Sequence, residues 1–396
     1  MAYHFYKDDG FDFRVQLALG AVSYGLGDAG EILATIEHVK NGDDQAWFDG
    51  FLGLGQRIEA VAAECAQSNN ELSARDAYLR ASTYYSYALE AVEGLKDESP
   101  LVPTFNQHRR CWDEFAKRCQ PALEQVEIPY GEHKMPGYFC KVDDSGTARP
   151  TLIVNNGSDA SITAVWSTAS AALARGYNAL LFDGPGQQSM LFLEDVPFRP
   201  DWEAVITPVV DFLQDRADVD SSKIALYGIS QAGYWVPRAL AFEHRVAAAV
   251  ADPGVVDVSS SWYANLPSHL RKLLSNGEAE KFNKDMDIGL KFSAGARREM
   301  QFRSRPYGMS THFEVFKAVG EYNVRPVAHQ ITTPIMICDP EGEQFWPGQA
   351  TELFDLITGP KELVKFTAAE GADRHCEPMA RTLVDQRMFD WLATVL

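Results

Sequence analysis

Long hydrophobic runs are missing from this 396-residue sequence. No tract reaches the roughly 18 consecutive apolar residues of a membrane-spanning helix, so none is expected. Cysteine is scarce. The six present (Cys65, Cys111, Cys119, Cys140, Cys338 and Cys376) are scattered, with no C-x-x-C pair and no zinc spacing, which argues against a disulfide framework or a metal site. Basic residues are in deficit, 36 Lys and Arg against 55 Asp and Glu, for a net charge of −19. Such a surface repels phosphate backbones and anionic lipid, so neither a nucleic-acid nor a membrane partner is expected. The first residues, MAYHFYKDDGFDF, have neither a basic start nor an apolar run. No secretory signal is expected there, and a cytoplasmic, reducing location is the default. What remains is ordinary globular composition, 46% hydrophobic and 23% charged. A chain of this length can bury a sizeable core without staples, and at roughly 100–200 residues per domain it suggests two units.

Two textures divide the chain. Residues 1–122 read as helices: Ile32, Leu33, Ile36 and Val39 form one apolar stripe, and Phe51, Leu54, Ile58, Val61 and Cys65 another. The segment ARDAYLRASTYYSYA (74–88) alternates small and aromatic residues at helical spacing, like one tetratricopeptide-type helix pair. No 34-residue period accompanies it, so a solenoid is not expected. From residue 123 to 396, short β-rich runs take over: VEIPY, GYFCKV, TLIVNN, NALLFD, KIALYG, AAAVAD, PIMICD and LVKFT. The first two are close enough to pair as a hairpin, and helical intervals separate the rest. That pattern predicts an α/β fold with a mostly parallel eight-stranded sheet, an antiparallel start and a terminal helix over 377–393. The interval of about 255–330 is longer than a crossover helix requires and is rich in aromatics, which reads as a helical lid over the sheet's C-terminal edge. Trp262 and Tyr263 in it, with Tyr234, are candidate substrate contacts. Extra helices packing their aromatics as core are the plainer alternative.

Chemistry concentrates at KIALYG-I-S-Q-A-G. Ser230 follows a predicted strand and precedes a predicted helix, with small Gly228 and Ala232 two residues to either side. A serine hydroxyl becomes a nucleophile when a sharp turn presents it to a base and to oxyanion donors. G-x-S alone is weak, since chance gives about two matches in such a chain. The other match, Gly308-Met309-Ser310, follows no strand. Of nine histidines, His375 is singled out because its loop follows the last strand and can hang over the sheet edge beside Ser230. A carboxylate must orient that imidazole. Asp339, Glu341 and Glu343 after PIMICD compete for the role, with Asp252 one strand earlier. Backbone N–H groups of Gln231 and of Ser158, in the NNGSD loop, are the oxyanion candidates. The turn LFDGPGQ (Asp183–Gln187) is assigned a structural role.

The elbow, the NNGS loop, the DGPGQ turn and the late GADRH histidine together resemble the α/β-hydrolase superfamily over roughly residues 124–396. The helical N-terminal region is similar to that of the group containing 2,6-dihydroxypseudooxynicotine hydrolase, fungal polyketide-shortening hydrolases and fermentation-respiration switch proteins. The register of such hydrolases, counted nine residues on from Pro334, reaches Glu343; Asp339 is the alternative acid. The resemblance implies a serine nucleophile and a histidine base acting without cofactor or metal. It also implies a C–C bond beside a ketone, or an ester, as the target, and a homodimer, while the aromatic-rich interval suggests a bulky, partly aromatic or polyketide-like small molecule as substrate. A general carboxylesterase or lactonase, and a non-catalytic scaffold on a degenerate hydrolase fold, are the alternatives.

Overall fold

In the computed structural model, which describes residues 3–396, the β-rich runs form a single eight-stranded sheet. Its strands are β1 Glu124–Tyr130, β2 His133–Cys140, β3 Arg149–Asn155, β4 Asn178–Phe182, β5 Val219–Ile229, β6 Ala248–Asp252, β7 Ile335–Pro340 and β8 Lys361–Phe366. They lie in the order β1-β2-β4-β3-β5-β6-β7-β8. β2 pairs antiparallel with β1 and with β4, and every later pairing is parallel. Gly131, at φ 57°, makes the tight turn that joins the β1–β2 hairpin.

Five helices precede the sheet: α1 Asp9–Gly20, α2 Ala29–Ile36, α3 Asp44–Gln67, α4 Glu71–Leu89 and α5 Leu101–Arg118. Between the strands run α6 Ile162–Leu173, α7 Gln188–Phe192, α8 Glu203–Gln214 and α9 Ala232–Leu240. The long interval between β6 and β7 holds α10 Ser259–Ala264, α11 Ser268–Ser275, α12 Ala279–Lys291, α13 Ala294–Ser304 and α14 His312–Val319. After β7 come α15 Gln349–Leu356 and α16 Arg381–Val395.

Alternation along the strands sorts the core into two faces. Leu152, Val154, Leu181, Ala225 and Tyr227 pack with α6, α16 and helices α1–α5. Ile153, Leu180, Leu226, Ala249 and Ile337 pack with α8, α9, α15 and the helices of the β6–β7 interval. The apolar core therefore runs continuously from the N-terminal helices onto one side of the sheet. α4 lies at the centre of that layer, and two of its buried tyrosines have their hydroxyls satisfied, as a buried phenol requires. Tyr84 Oη donates to Glu31 (2.5 Å) and accepts from the Asp28 N–H, while Tyr85 Oη donates to Glu59 (2.6 Å). Gly55 in α3 lets the Tyr85 ring approach, since a Cβ there would stand 2.9 Å from it.

The terminal helix begins at Arg381 rather than 377. Cys376 and Glu377 hold positive φ angles of 58° and 43°, and Pro378 follows them, so a right-handed helix cannot start there. The loop this leaves is pinned by α1. A Cβ on Gly20 would lie 1.7 Å from the Pro378 carbonyl oxygen, and Arg374 donates to the buried Asp12 carboxylate at 3.3 Å. Gly20→Ala should therefore force backbone apart at this junction and lower the unfolding free energy by about 1–3 kcal/mol. Urea denaturation checks this; an unchanged midpoint would show that the contact is slack.

Candidate active site

β5 ends at Ile229, and α9 starts at Ala232. The chain reverses between them with Ser230 at φ +59°. A non-glycine residue in this region costs on the order of 1–3 kcal/mol and persists only where its surroundings over-determine it. Here the Ser230 N–H donates to the Asp252 carbonyl (2.6 Å), and the Ser230 carbonyl accepts from the Gly233 N–H (2.8 Å). The turn is tight enough to demand small residues. A Cβ at Gly228 would come within 2.6 Å of the Ala232 carbonyl oxygen, and one at Gly233 within 1.8 Å of the Pro253 carbonyl oxygen. Ala232 itself fits without exposure.

His375 reaches this turn from the loop after β8. Its Nε2 lies 2.9 Å from Ser230 Oγ, and its Nδ1 lies 2.8 and 3.0 Å from the two oxygens of Glu343. An ionised carboxylate can only accept, so Nδ1 carries the proton and Nε2 accepts from the serine hydroxyl. The two side chains are 5% and 6% exposed, so the pair is shielded from bulk water. Burial pushes the Glu343 carboxyl up, but the charge and hydrogen bond of His375 oppose it, and the net shift is downward. The N–H groups of Phe345 and Trp346, which donate to Oε1 at 2.8 and 3.1 Å, add to the net lowering. The backbone N–H of His375 donates to Gln344 Oε1 (2.9 Å), and the Phe345 ring packs 4.7 Å from the imidazole.

The rival carboxylates stand elsewhere. Asp339 is half-buried at the tip of β7 without a hydrogen bond to His375; burial raises its carboxyl, with Lys365 opposing. Glu341 accepts from the Ala368 N–H (3.0 Å). Asp252 is buried and engaged by Tyr227 Oη (2.6 Å) and Arg381 Nη1 (2.8 Å).

Gly157, in the loop after β3, passes directly beside the turn: a Cβ there would lie 2.9 Å from Ser230 Cβ. Neither the Ser158 nor the Gln231 N–H donates to a protein acceptor among the described residues. The DGPGQ turn braces this loop, because Gln187 Nε2 donates to the carbonyls of Asn156 and Gly157, both at 2.8 Å. Asp183 accepts from Ser189 and pairs with Arg109 of α5.

A cavity of about 170 Å³ opens over Ser230 and His375, room for roughly six waters. Its apolar wall is built mostly by the N-terminal helices, through Phe13, Leu17 and Leu89, with Phe192 of α7. The expected contacts Trp262, Tyr263 and Tyr234 do not line it. Trp262 is buried edge-on against Tyr307 and Phe316, with Arg303 over its face. Tyr263 stacks on Phe316 and donates to its carbonyl (2.8 Å), and Tyr234 packs on Tyr322 and donates to the Pro200 carbonyl (2.9 Å). Aromatics of the β6–β7 interval serve mainly as core between α10, α12 and α14, and Phe302 alone among them reaches the cavity. The wall residues of the N-terminal helices lie some 140–220 positions before Ser230 in the sequence, and no motif there marks them as part of a site.

A mostly parallel sheet with a serine on the strand-to-helix turn and a histidine after the last strand defines an α/β hydrolase, and the chain belongs to that family. Alpha/beta hydrolase psoB of Aspergillus fumigatus is 30% identical over 81% of this chain and 75% of its own length. Hydrolase acrC of Aspergillus aculeatus is 27% identical over 98% of this chain and 97% of its own. The fold of 2,6-dihydroxy-pseudo-oxynicotine hydrolase superposes with a TM-score of 0.76 over 95% of both chains, at 20% identity. No protein-family model matches the sequence. The protein is a hydrolase of this fold.

The depressed Glu343 carboxyl has a stability consequence of definite sign. Its contribution over Glu343→Gln should be complete above the unfolded-state value of about 4.3 and should disappear as pH falls through the lower folded-state value. Denaturant unfolding of both proteins across this acid range measures the difference. A gap that widens on acidification would contradict the pairing.

Proposed function

We propose that the protein is a serine hydrolase that cleaves an ester, or a C–C bond beside a ketone, through an acyl-enzyme. The observation that carries this reading is the unbroken chain from the Ser230 hydroxyl through His375 to Glu343, anchored on a strained turn. Ser230 Oγ attacks the carbonyl carbon while His375 Nε2 takes its proton. Glu343 holds the tautomer and stabilises the imidazolium. The oxyanion accepts from the N–H groups of Gln231 and Ser158, which face no protein acceptor. Collapse of the tetrahedral intermediate expels an alkoxide or a ketone-stabilised carbanion, and His375 returns the proton to it. Water, deprotonated by the same imidazole, then releases the acid and restores Ser230.

The apolar cavity wall supports a bulky, partly aromatic, polyketide-like small molecule as substrate. A relative named for hydrolysis of a small molecule, 20-hydroxy-prefusarin hydrolase FUS2 of Gibberella moniliformis, 24% identical over 98% of this chain, supports a small molecule as the target.

A fluorophosphonate should label the wild type at Ser230 and leave Ser230→Ala unlabelled. His375→Ala should lower kcat by at least ~10³-fold, and Glu343→Gln by ~10³–10⁴-fold through the wrong tautomer. Retention of full turnover by His375→Ala would refute the mechanism. Parallel assays on p-nitrophenyl esters and on β-diketones separate ester from C–C cleavage.

A further inference from the structure

The proposed reaction leaves several ionisable groups of the cavity unused, and Glu90 is the carboxylate at a helix end. Glu90 caps the C-terminal end of α4 and lines the same cavity as Ser230 and His375. No hydrogen bond joins it to either. Its Oε2 is closed to solvent and has no hydrogen-bond partner. The nearest cation, Arg14 Nε, stands 3.9 Å away, too far for a hydrogen bond. The terminal nitrogens of Arg14 are spent on the Glu90 carbonyl oxygen (2.9 Å) and on Asp44 (3.4 Å). Two hydroxyls of the cavity are committed too: Thr83 donates to the Leu79 carbonyl (2.9 Å) and Ser86 to the Thr83 carbonyl (2.7 Å).

A buried polar atom without a partner is costly and calls for a reason. Two features add to that cost. The C-terminal end of a helix is the wrong end for negative charge, and Asp159 lines the same cavity. Burial pushes the Glu90 carboxyl up to about 7, with Arg14 drawing it down and Asp159 pushing it further up. The rest of the Glu90 side chain is open, 29% exposed, so an apolar occupant would desolvate it with only the Arg14 charge at 3.9 Å to compensate, whereas an occupant with a donor would satisfy it.

We propose that Glu90 anchors the substrate, selecting molecules that present a hydrogen-bond donor, a hydroxyl or a protonated amine, over hydrocarbon of equal length. The proposal rests on the reading of this cavity as the substrate site. Its test is binding, so it does not depend on whether Ser230 reacts. Matched 4-nitrophenyl esters, with acyl chains of graded length ending in methyl, hydroxyl or ammonium, are titrated calorimetrically into Ser230→Ala protein.

With Glu90 intact, the best hydroxyl- or ammonium-ended ester should bind about tenfold tighter than its methyl-ended match, a gap of about 1.4 kcal/mol. Adding Glu90→Leu should erase or reverse that preference. Glu90→Gln, which keeps the shape and a hydrogen-bonding oxygen, should hold the preference for hydroxyl and lose any preference for ammonium. Equal binding of the three termini, an equal loss for all three in Glu90→Leu, or binding of none would overturn the proposal. If Glu90→Leu does not fold, the Glu90→Gln comparison decides alone. Fluorophosphonate labelling of Ser230 reports separately on the nucleophile: labelling without a donor preference sinks Glu90's role only, and a donor preference without labelling sinks the serine mechanism only.

Discussion

The left-handed backbone at Ser230 is the constraint on which the site depends. It is tolerable because the Asp252 carbonyl grips the Ser230 amide from the neighbouring strand and because glycines stand where any side chain would collide. A strained residue held from several sides has one position, so its hydroxyl can be met at hydrogen-bond distance by an imidazole arriving from the far end of the chain. The same carbonyl of Asp252 accepts from Cys376, next to that imidazole, so a single peptide group helps to place both partners.

Parts of this arrangement were legible in the residues. All eight strands were readable, because fully buried parallel strands are short β-branched and apolar runs punctuated by turns. Their edges slipped by up to four residues: β5 starts at Val219, ahead of the run KIALYG, through the polar Asp220, Ser221 and Ser222, which have no apolar signature. Ser230, His375 and Glu343 were readable as candidates from their positions after strands, and the structure brings those three together. Between Asp339, at the tip of β7, and Glu343 beyond it, the register counted from Pro334 pointed to Glu343, and the geometry places that carboxylate on His375.

What was not legible is the direction from which the cavity is closed. Aromatic richness between β6 and β7 pointed to Trp262 and Tyr263, but periodicity reports burial and does not say against what. In this fold the interval spends its rings on its own packing, and α1 and α4 supply the wall instead. Phe13 and Glu90 carry no local mark of such a role. Their place follows from a core that is continuous between the first helices and one face of the sheet, a tertiary fact that a local pattern cannot encode.

The contact between Gly20 and the Pro378 backbone joins the two extremes of the sequence, and this bears on when reactivity first arises during synthesis. On the proposed mechanism, a nascent polypeptide that has left the ribosome only through β7 would hold its hydroxyl and its helical wall without His375 to activate the one or to seat against the other.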